Sequence, residues 1–338
     1  ISECLVGSEM CIRDRYGTNL SHKIRKDHIM ITINAGQSTS FPRIADAIEA
    51  AKTYAPMPVT IHIAPGRYHE KLTVSQPHVT LMGDDASNTI LTYDDYAREI
   101  MPDGIKRGTF RTYTLFLDAP DITLCNLTVE NAAGAGKEVG QAIALYAEGE
   151  GIRVENCRLI GSQDTLFTGP LPEKEKEPGG FRGPKEFAPR INGRQYYKNT
   201  YICGGVDFIF GSATAYFENC TLESLPEGGG YVTAGSSPKG QTYGYIFNHC
   251  RFIGSEPNTC YLGRPWREYA KVVILNSEIG DHIKPEGWHD WGKIDAHDTV
   301  YFAEYKNYGP GAAGARPSWT HTLTDTEAEN YTYASVFS

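Results

Sequence analysis

Asp207 lies inside the run "VDFIFG", framed by Val, Phe, Ile and Phe with glycines on both sides. An ionised carboxylate is costly in such an apolar strand unless a cation pairs with it. Arg264, in "YLGRPW", carries a planar fork that fits a carboxylate at two points. Three further polar residues stand in apolar or Gly-rich settings: Gln141 in "GQAIALY", and Gln163 and Asp164 in "SQDTLF". If the two carboxyls lie close, the one paired with Arg264 stays ionised and the like charge pushes the other towards its neutral form. Such a split supplies one nucleophile and one general acid. Glutamine NH₂ groups suit a developing oxyanion, each such donor being worth ~3 kcal/mol of barrier. The set describes acyl transfer that needs no Ser, Cys, metal or cofactor.

Other chemistries lack their patterns. No Ser sits in G-x-S-x-G, so the serine-hydrolase elbow is missing. "NAAGAGKEVG" fails as a phosphate loop, because Asn131 and Glu138 stand where Gly and Ser/Thr are required. "WHDWGKIDAHD" gathers two His and three Asp, but its His residues lack helical i,i+4 spacing, so it reads as a solvated loop. "GDD" at 83–85 reads as an acidic turn after a strand. Eight cysteines, at 4, 11, 125, 157, 203, 220, 250 and 260, form no C-x-x-C pair and read mostly as free, buried thiols.

The elements that must carry these residues come from an internal repeat. "ITLCNLTVEN", "IRVENCRLIGS", "YYKNTYICGG", "AYFENCTLES", "YIFNHCRFIGS" and "VVILNSEIGD" each read as strand, Asn turn and second strand, with Asn at 126, 156, 199, 219, 248 and 276. Intervals of 30, 43, 20, 29 and 28 residues fit the coils of a parallel β-helix, whose inner faces are buried only by stacking. The alternative is an irregular β-sandwich with coincidental Asn-Cys pairs. Gln141 and Gln163 are 22 residues apart, and so are Asp164 and Asp207 once 170–190 is set aside; Asp207 and Arg264 are 57 apart, about two coils. Residues a whole coil apart stack with a spacing of ~4.8 Å, so all five are expected on one strip of surface. Ahead of the coils, "STSFPRIADAIEAAK" predicts a helix capped by Ser40, with Pro42 near its start and Ile44, Ala47, Ile48 and Ala51 on its apolar face. Such a helix suits one open end of the solenoid. The 170–190 segment, rich in Pro, Gly and alternating charge, is a loop, either a groove wall or a plain surface insertion.

Composition bounds the function classes. The chain has 338 residues, 40% hydrophobic and 22% charged, and its net charge of −9 advertises no basic face for nucleic acid. No apolar run reaches membrane-spanning length. Its 21 Tyr and 35 Gly favour β structure and, more loosely, carbohydrate contact. Residues 1–27 read as a leader unrelated to the following domain, such as a junction left by assembly, and 28–338 as one domain, expected to be a monomer.

"GQAIAL", "GSQDTLF", "VDFIFGSA" and "YLGRPW" resemble, in order and at compatible spacing, the four signature segments of the pectin methylesterases. The likeness extends over about residues 28–338 through "IAPGRYHEKLTV" and "YFAEYKNYGPGA". It implies an all-β, right-handed parallel β-helix with an N-terminal capping helix and long loops forming a surface groove. It further implies hydrolysis of methyl esters on homogalacturonan or its oligomers, with release of methanol and no cofactor. By the same resemblance Asp207 is the nucleophile, Asp164 the general acid/base, Gln141 and Gln163 the oxyanion hole, and Arg264 the residue that orients Asp207. Trp266 and Trp288 would stack on sugar rings, with Phe210, Phe167 and Thr112 as further groove contacts. Phe167 departs from the family, many members of which have Tyr there, and 170–190 is absent from plant-type members and more like bacterial ones.

The enzymatic alternative is a β-helical pectate lyase or polygalacturonase on the same polymer. A glycan-binding module would explain the aromatics and the repeat but not the Gln–Asp–Asp–Arg register. With no signal peptide visible, the chain is expected to be cytoplasmic, acting on imported oligomers, or secreted with its signal outside this sequence.

Overall fold

The computed structural model describes residues 9–13, 19–25, 28–226 and 229–338, with side chains described from Ile31 onward. Runs of alternating Val, Ile and Leu form short strands whose alternate residues are buried, as in Val59–Ile63 and Val79–Gly83. One coil contributes Ile152–Glu155 to a first sheet, Arg158–Ile160 to a second and Leu166–Thr168 to a third. The next coil adds Arg194–Lys198, Tyr201–Gly204 and Val206–Gly211, each paired in parallel with its predecessor. Three parallel sheets stacked in this way make a parallel β-helix. Its interior is one continuous core running from Ile31 to Phe302.

The turn from first to second sheet is a single residue in the left-handed region. Asn126, Asn156, Asn199, Asn219, His249 and Asn276 occupy it, with φ between 49° and 55°. Asn tolerates this backbone better than most residues, which explains its recurrence in the repeat. One position in the sequence register is corrected: Asn248 ends the strand Tyr245–Asn248, and His249 makes the turn. Asn248 instead accepts from Asn276 and donates to the Tyr216 hydroxyl, holding neighbouring coils together.

The helix Ile44–Ala51 buries Ile44, Ala47, Ile48 and Ala51, as its periodicity implies. Its cap is not Ser40. The Glu70 carboxylate accepts from Ile44 N at 2.9 Å and Ala45 N at 3.0 Å, so a side chain from the coil stack satisfies the orphan amides. At the other end of the chain, Tyr333–Phe337 packs over Tyr196 and Tyr216 on the outer face of the first sheet. Cys157, Cys203, Cys220, Cys250 and Cys260 are buried and unpaired. The expectation for residues 1–27 falls largely outside the described residues; within them, Glu9–Arg13 and Asn19–Arg25 pair antiparallel, and the second strand pairs with His28–Ala35.

The third sheet carries an aromatic ladder on its outer face. Phe116, Tyr146, Phe167 and Phe210 share one register, and Phe110 crosses them edge-on. The 170–190 segment lays Leu171 and Phe181 on this ladder. Lys185 in the same segment reaches Asp118 at 2.6 Å and Glu148 at 3.7 Å. Apolar cover and half-buried ion pairs therefore hold the insertion against the sheet as a wall.

If Asn supplies the left-handed turn, Asn156→Gly should be nearly neutral, whereas Asn156→Val should cost about 1–2 kcal/mol. Urea midpoints of the two variants check this; equal midpoints would refute the conformational account.

Candidate active site

The site is built where the third sheet breaks its own regularity. Val206 pairs with Tyr231 but Ile209 pairs with Thr233, so Asp207 and Phe208 together face one residue of the next strand. This is a β-bulge, a device that re-aims side chains. Asp207 adopts φ 48° within it. As a result Phe208 and Ile209 both enter the core, while Asp207 points to the outer face and Phe210 joins the ladder. Gly204 makes the bulge possible, because a Cβ there would lie 2.3 Å from Cβ of Phe208.

Asp164 holds the same place one coil earlier. Gln163 bridges Val206 and Leu166 pairs with Ile209, which sets Asp164 level with Asp207, and it too is left-handed, at φ 61°. The two carboxyls are 7% and 8% exposed. The pair is bound asymmetrically. Arg264 donates Nε to Oδ1 of Asp207 at 2.9 Å and a terminal nitrogen to Oδ2 at 2.7 Å. Its guanidinium lies between the rings of Tyr231 and Trp291, 3.9 and 3.7 Å from their centres. The Tyr231 hydroxyl in turn meets Nδ1 of His289 at 2.9 Å.

Burial pushes both carboxyls upward. Asp164 is held well above the ordinary carboxylate range, first by burial and then by the charge of Asp207, with Arg264 opposing. Asp207 is also raised by burial, but hydrogen bonding and charge from Arg264, and charge from Lys293, pull it back. Asp207 is therefore the carboxyl that ionises first, while Asp164 keeps its proton.

Gln141 and Gln163 line the same cleft of about 340 Å³, with Phe110, Phe181, Phe210, Trp266 and Trp291 around them. The backbone stacks them: Ala142 N donates to Gln163 O at 3.0 Å, as Asp164 N donates to Val206 O beside the Gln163–Val206 bridge, so Gln141 falls level with Gln163. Arg264 is level with Phe210 across Ala234, and reaches back to Asp207 from there. The two Gln residues and the two Asp residues thus obey the coil arithmetic to the residue, and Arg264 does not. The loop that resembles a phosphate site, "NAAGAGKEVG", buttresses Gln163. A Cβ on Gly136 would fall 2.7 Å from Cβ of Gln163, so only glycine allows that approach.

Of the expected sugar contacts, Trp266 and Phe210 line the cleft. The others are corrected. Trp288 is 2% exposed, packs on Phe302 and donates Nε1 to Glu304 at 3.0 Å, so it has no face to offer. Phe167 is fully buried beneath Phe110 and Tyr146. The Thr112 hydroxyl accepts from Ile143 N and donates to Thr109 O, so it is spent inside the protein. The segment read as a solvated loop instead furnishes Trp291 and His289 behind Arg264, and Lys293, whose ammonium binds the carbonyls of Pro265 and Trp266. Sequence reasoning passed over Trp291, three residues from the tryptophan it chose, because spacing alone does not say which of two Trp faces inward.

A family model described as Pectinesterase matches residues 30–171 and 190–338, passing over 172–189 within the insertion. Pectinesterase 31 of Arabidopsis thaliana is 30% identical over 315 residues, 90% of this chain and 91% of that protein. The solved pectin methylesterase from carrot is similar at 28% identity and TM-score 0.75, covering 90% of this chain and 92% of its own. A second solved pectin methylesterase, in complex with a hexasaccharide, is similar at 27% identity and TM-score 0.72, covering 90% and 96%.

The raised pKa of Asp164 is also a statement about stability. A carboxyl whose folded pKa is raised stabilises the fold while protonated, and that contribution is lost as pH rises above the unfolded value of about 4. Asp164→Asn removes the titrating group and tolerates left-handed backbone. Its unfolding free energy relative to the parent should therefore rise as pH increases from 4, by at most about 1.4 kcal/mol per pH unit. A pH-independent difference would contradict the assignment.

Proposed function

The chain belongs to the pectinesterase family and is a carboxylic ester hydrolase acting on pectin; from that premise we propose that Asp207 is its nucleophile and Asp164 its general acid and base. The observation that carries this reading is the asymmetry of the pair: two carboxyls at one register, of which Arg264 clamps one. A carboxylate held ionised and aimed by a bidentate cation can attack the C6 carbonyl of a methyl-esterified galacturonosyl residue. Gln141 and Gln163 donate to the oxyanion that forms as the carbonyl bond opens. Asp164, protonated in the resting site, gives its proton to the departing methanol, leaving a mixed anhydride on Asp207. The ionised Asp164 then takes a proton from water as that water attacks the anhydride, which returns both carboxyls to their starting states. Trp266 and Trp291 flank the cleft as aromatic faces for the sugar chain.

Asp207→Asn keeps the shape and the left-handed tolerance but removes the nucleophile, and should lower methanol release from methylated pectin by at least about 10⁴-fold. Near-parental release would end this assignment. Gln141→Ala should cost about 10²-fold in kcat, read in the same assay.

The pH–rate profile carries the charge argument. The first step needs Asp207 ionised and Asp164 protonated, so kcat/KM should be bell-shaped with limbs that belong to the coupled pair. Arg264→Lys replaces a fork by a point charge and weakens the pull that lowers the pKa of Asp207. The acid limb should then move to higher pH; a limb that stays in place would show that Arg264 does not set the charge of Asp207.

A further inference from the structure

Arg264 is held differently from other half-buried arginines of the fold. Arg190 is fixed by the carbonyls of Pro172, Lys185, Glu186 and Ala188, and Arg316 by those of Pro285 and Gly311. Among the described residues no backbone carbonyl accepts from Arg264. Its fork goes to Asp207 and its plane rests on the rings of Tyr231 and Trp291. A ring face resists tilt, but the torsion that turns a tyrosine ring is itself soft. What holds the rings therefore decides where the fork points.

Both rings are held by one short segment, residues 288–293. Trp291 belongs to it, and His289 reaches Tyr231 from it, Nδ1 meeting the hydroxyl at 2.9 Å. The same imidazole stacks on Tyr231 and on its register partner Tyr261, with ring centres 5.6 and 5.0 Å away. The segment is anchored at both ends. His289 N donates to Gly263 O at 3.1 Å, next to Arg264 in the chain. The Asp290 carboxylate accepts from Gly292 N at 2.8 Å and meets Nε2 of His297 at 3.0 Å. Neither Tyr231 nor His289 lines the catalytic cleft, so a change at either reaches the ester through the Arg264 sandwich.

We propose that His289 is a positioning residue for the nucleophile: its hydrogen bond to Tyr231 locks the ring against the Arg264 guanidinium and so sets the aim of the Arg264–Asp207 pair. The inference rests on the proposed role of Asp207. With the tie cut, Tyr231 turns more freely and Arg264 loses part of its two-point grip. Arg264 then pulls less on Asp207, whose carboxyl titrates at higher pH. Turnover falls, while the sugar contacts in the cleft stay as they were.

A double-mutant cycle tests this. Tyr231→Phe keeps the ring and removes the hydroxyl, and His289→Phe keeps a stacking ring and removes Nδ1. Each should lower kcat about three- to tenfold, the worth of one hydrogen bond, with KM unchanged. The double variant should lose no more than either single one, because both cut the same bond. His289→Asn, which offers an amide oxygen near the place of Nδ1, should recover most of the loss. Additive losses, or a rise in KM without a fall in kcat, overturn the proposal. Tyr231→Phe carries the test alone should His289→Phe not fold.

A readout without turnover separates the proposal from the reading it rests on. The Asp207 carboxylate band, taken as the infrared difference between each protein and its Asp207→Asn counterpart, is followed against pH. Its midpoint should move up by about half a pH unit in Tyr231→Phe and in His289→Phe. An unmoved midpoint overturns the positioning role, whatever the enzyme does to esters. If even the parent releases no methanol from methylated pectin, the nucleophile reading fails, while the midpoint still decides the positioning role.

Discussion

In a stack of parallel coils, backbone hydrogen bonds hold successive strands about 4.8 Å apart, and two side chains at one register must share that spacing whatever their charge. The third sheet applies this constraint to two carboxyls, since Gln163 bridges Val206 and Leu166 pairs with Ile209. Nothing between Asp164 and Asp207 can relax without breaking the ladder, which is itself fixed by Leu166 and Ile209 in the core. The repulsion is therefore relieved by protonation, not by movement. The coil pitch makes one of the two acids neutral, and the single clamp on Asp207 decides which.

That decision depends on a strained backbone. Both Asp residues are left-handed, a conformation that costs a residue with a Cβ about 1–2 kcal/mol. Asp and Asn accept it more readily than other residues, and the surrounding register over-determines it. The strain has a geometric consequence. By setting two residues against one, the bulge turns Phe208 and Ile209 both inward and Asp207 outward. A regular strand would alternate, and with Ile209 inward it would carry Asp207 into the core. Arg264 meets the displaced carboxylate from two coils away, fixed between Tyr231 and Trp291 so that its fork has little freedom to turn.

The solenoid was legible in the sequence because a repeat declares itself: a left-handed turn favours Asn, and stacking demands apolar residues at fixed offsets. The Asp164–Asp207 stack was legible for the same reason. What failed to follow was anything set by the third dimension of a turn. His249 in place of Asn248 shows that one residue of strand length is invisible when two neighbouring residues can both occupy the left-handed region. The Glu70 cap on Ile44–Ala51 comes from 25 and 26 residues away, beyond any local pattern. Trp288 and Trp291 are equivalent as letters, and only the core packing of Trp288 on Phe302 separates them. Phe110 lies in "TFRTYT", where the resemblance pointed to Thr112 and nothing pointed to Phe110, yet it crosses the aromatic ladder of the third sheet.

The cations around the cleft are arranged to respect this charge division. A net charge of −9 gives the molecule no long-range attraction for a polyanion, and beyond about 8 Å salt screens most of what remains. Positive charge must therefore act locally, but a cation set beside Asp164 would favour its ionised form. The cations instead lie on the Asp207 side. Lys293 acts on Asp207, and Asp164 feels cationic charge only from Arg264, which is already committed to its neighbour. Lys293 thus favours an ionised Asp207 without acting on Asp164. Contact with Pro265 and Trp266 carbonyls holds Lys293 on that side, and the insertion, pinned by Phe181 and Lys185, brings Lys176 to the same point. The charges that act on the two acids are separated by position, within a cleft only a few coils wide.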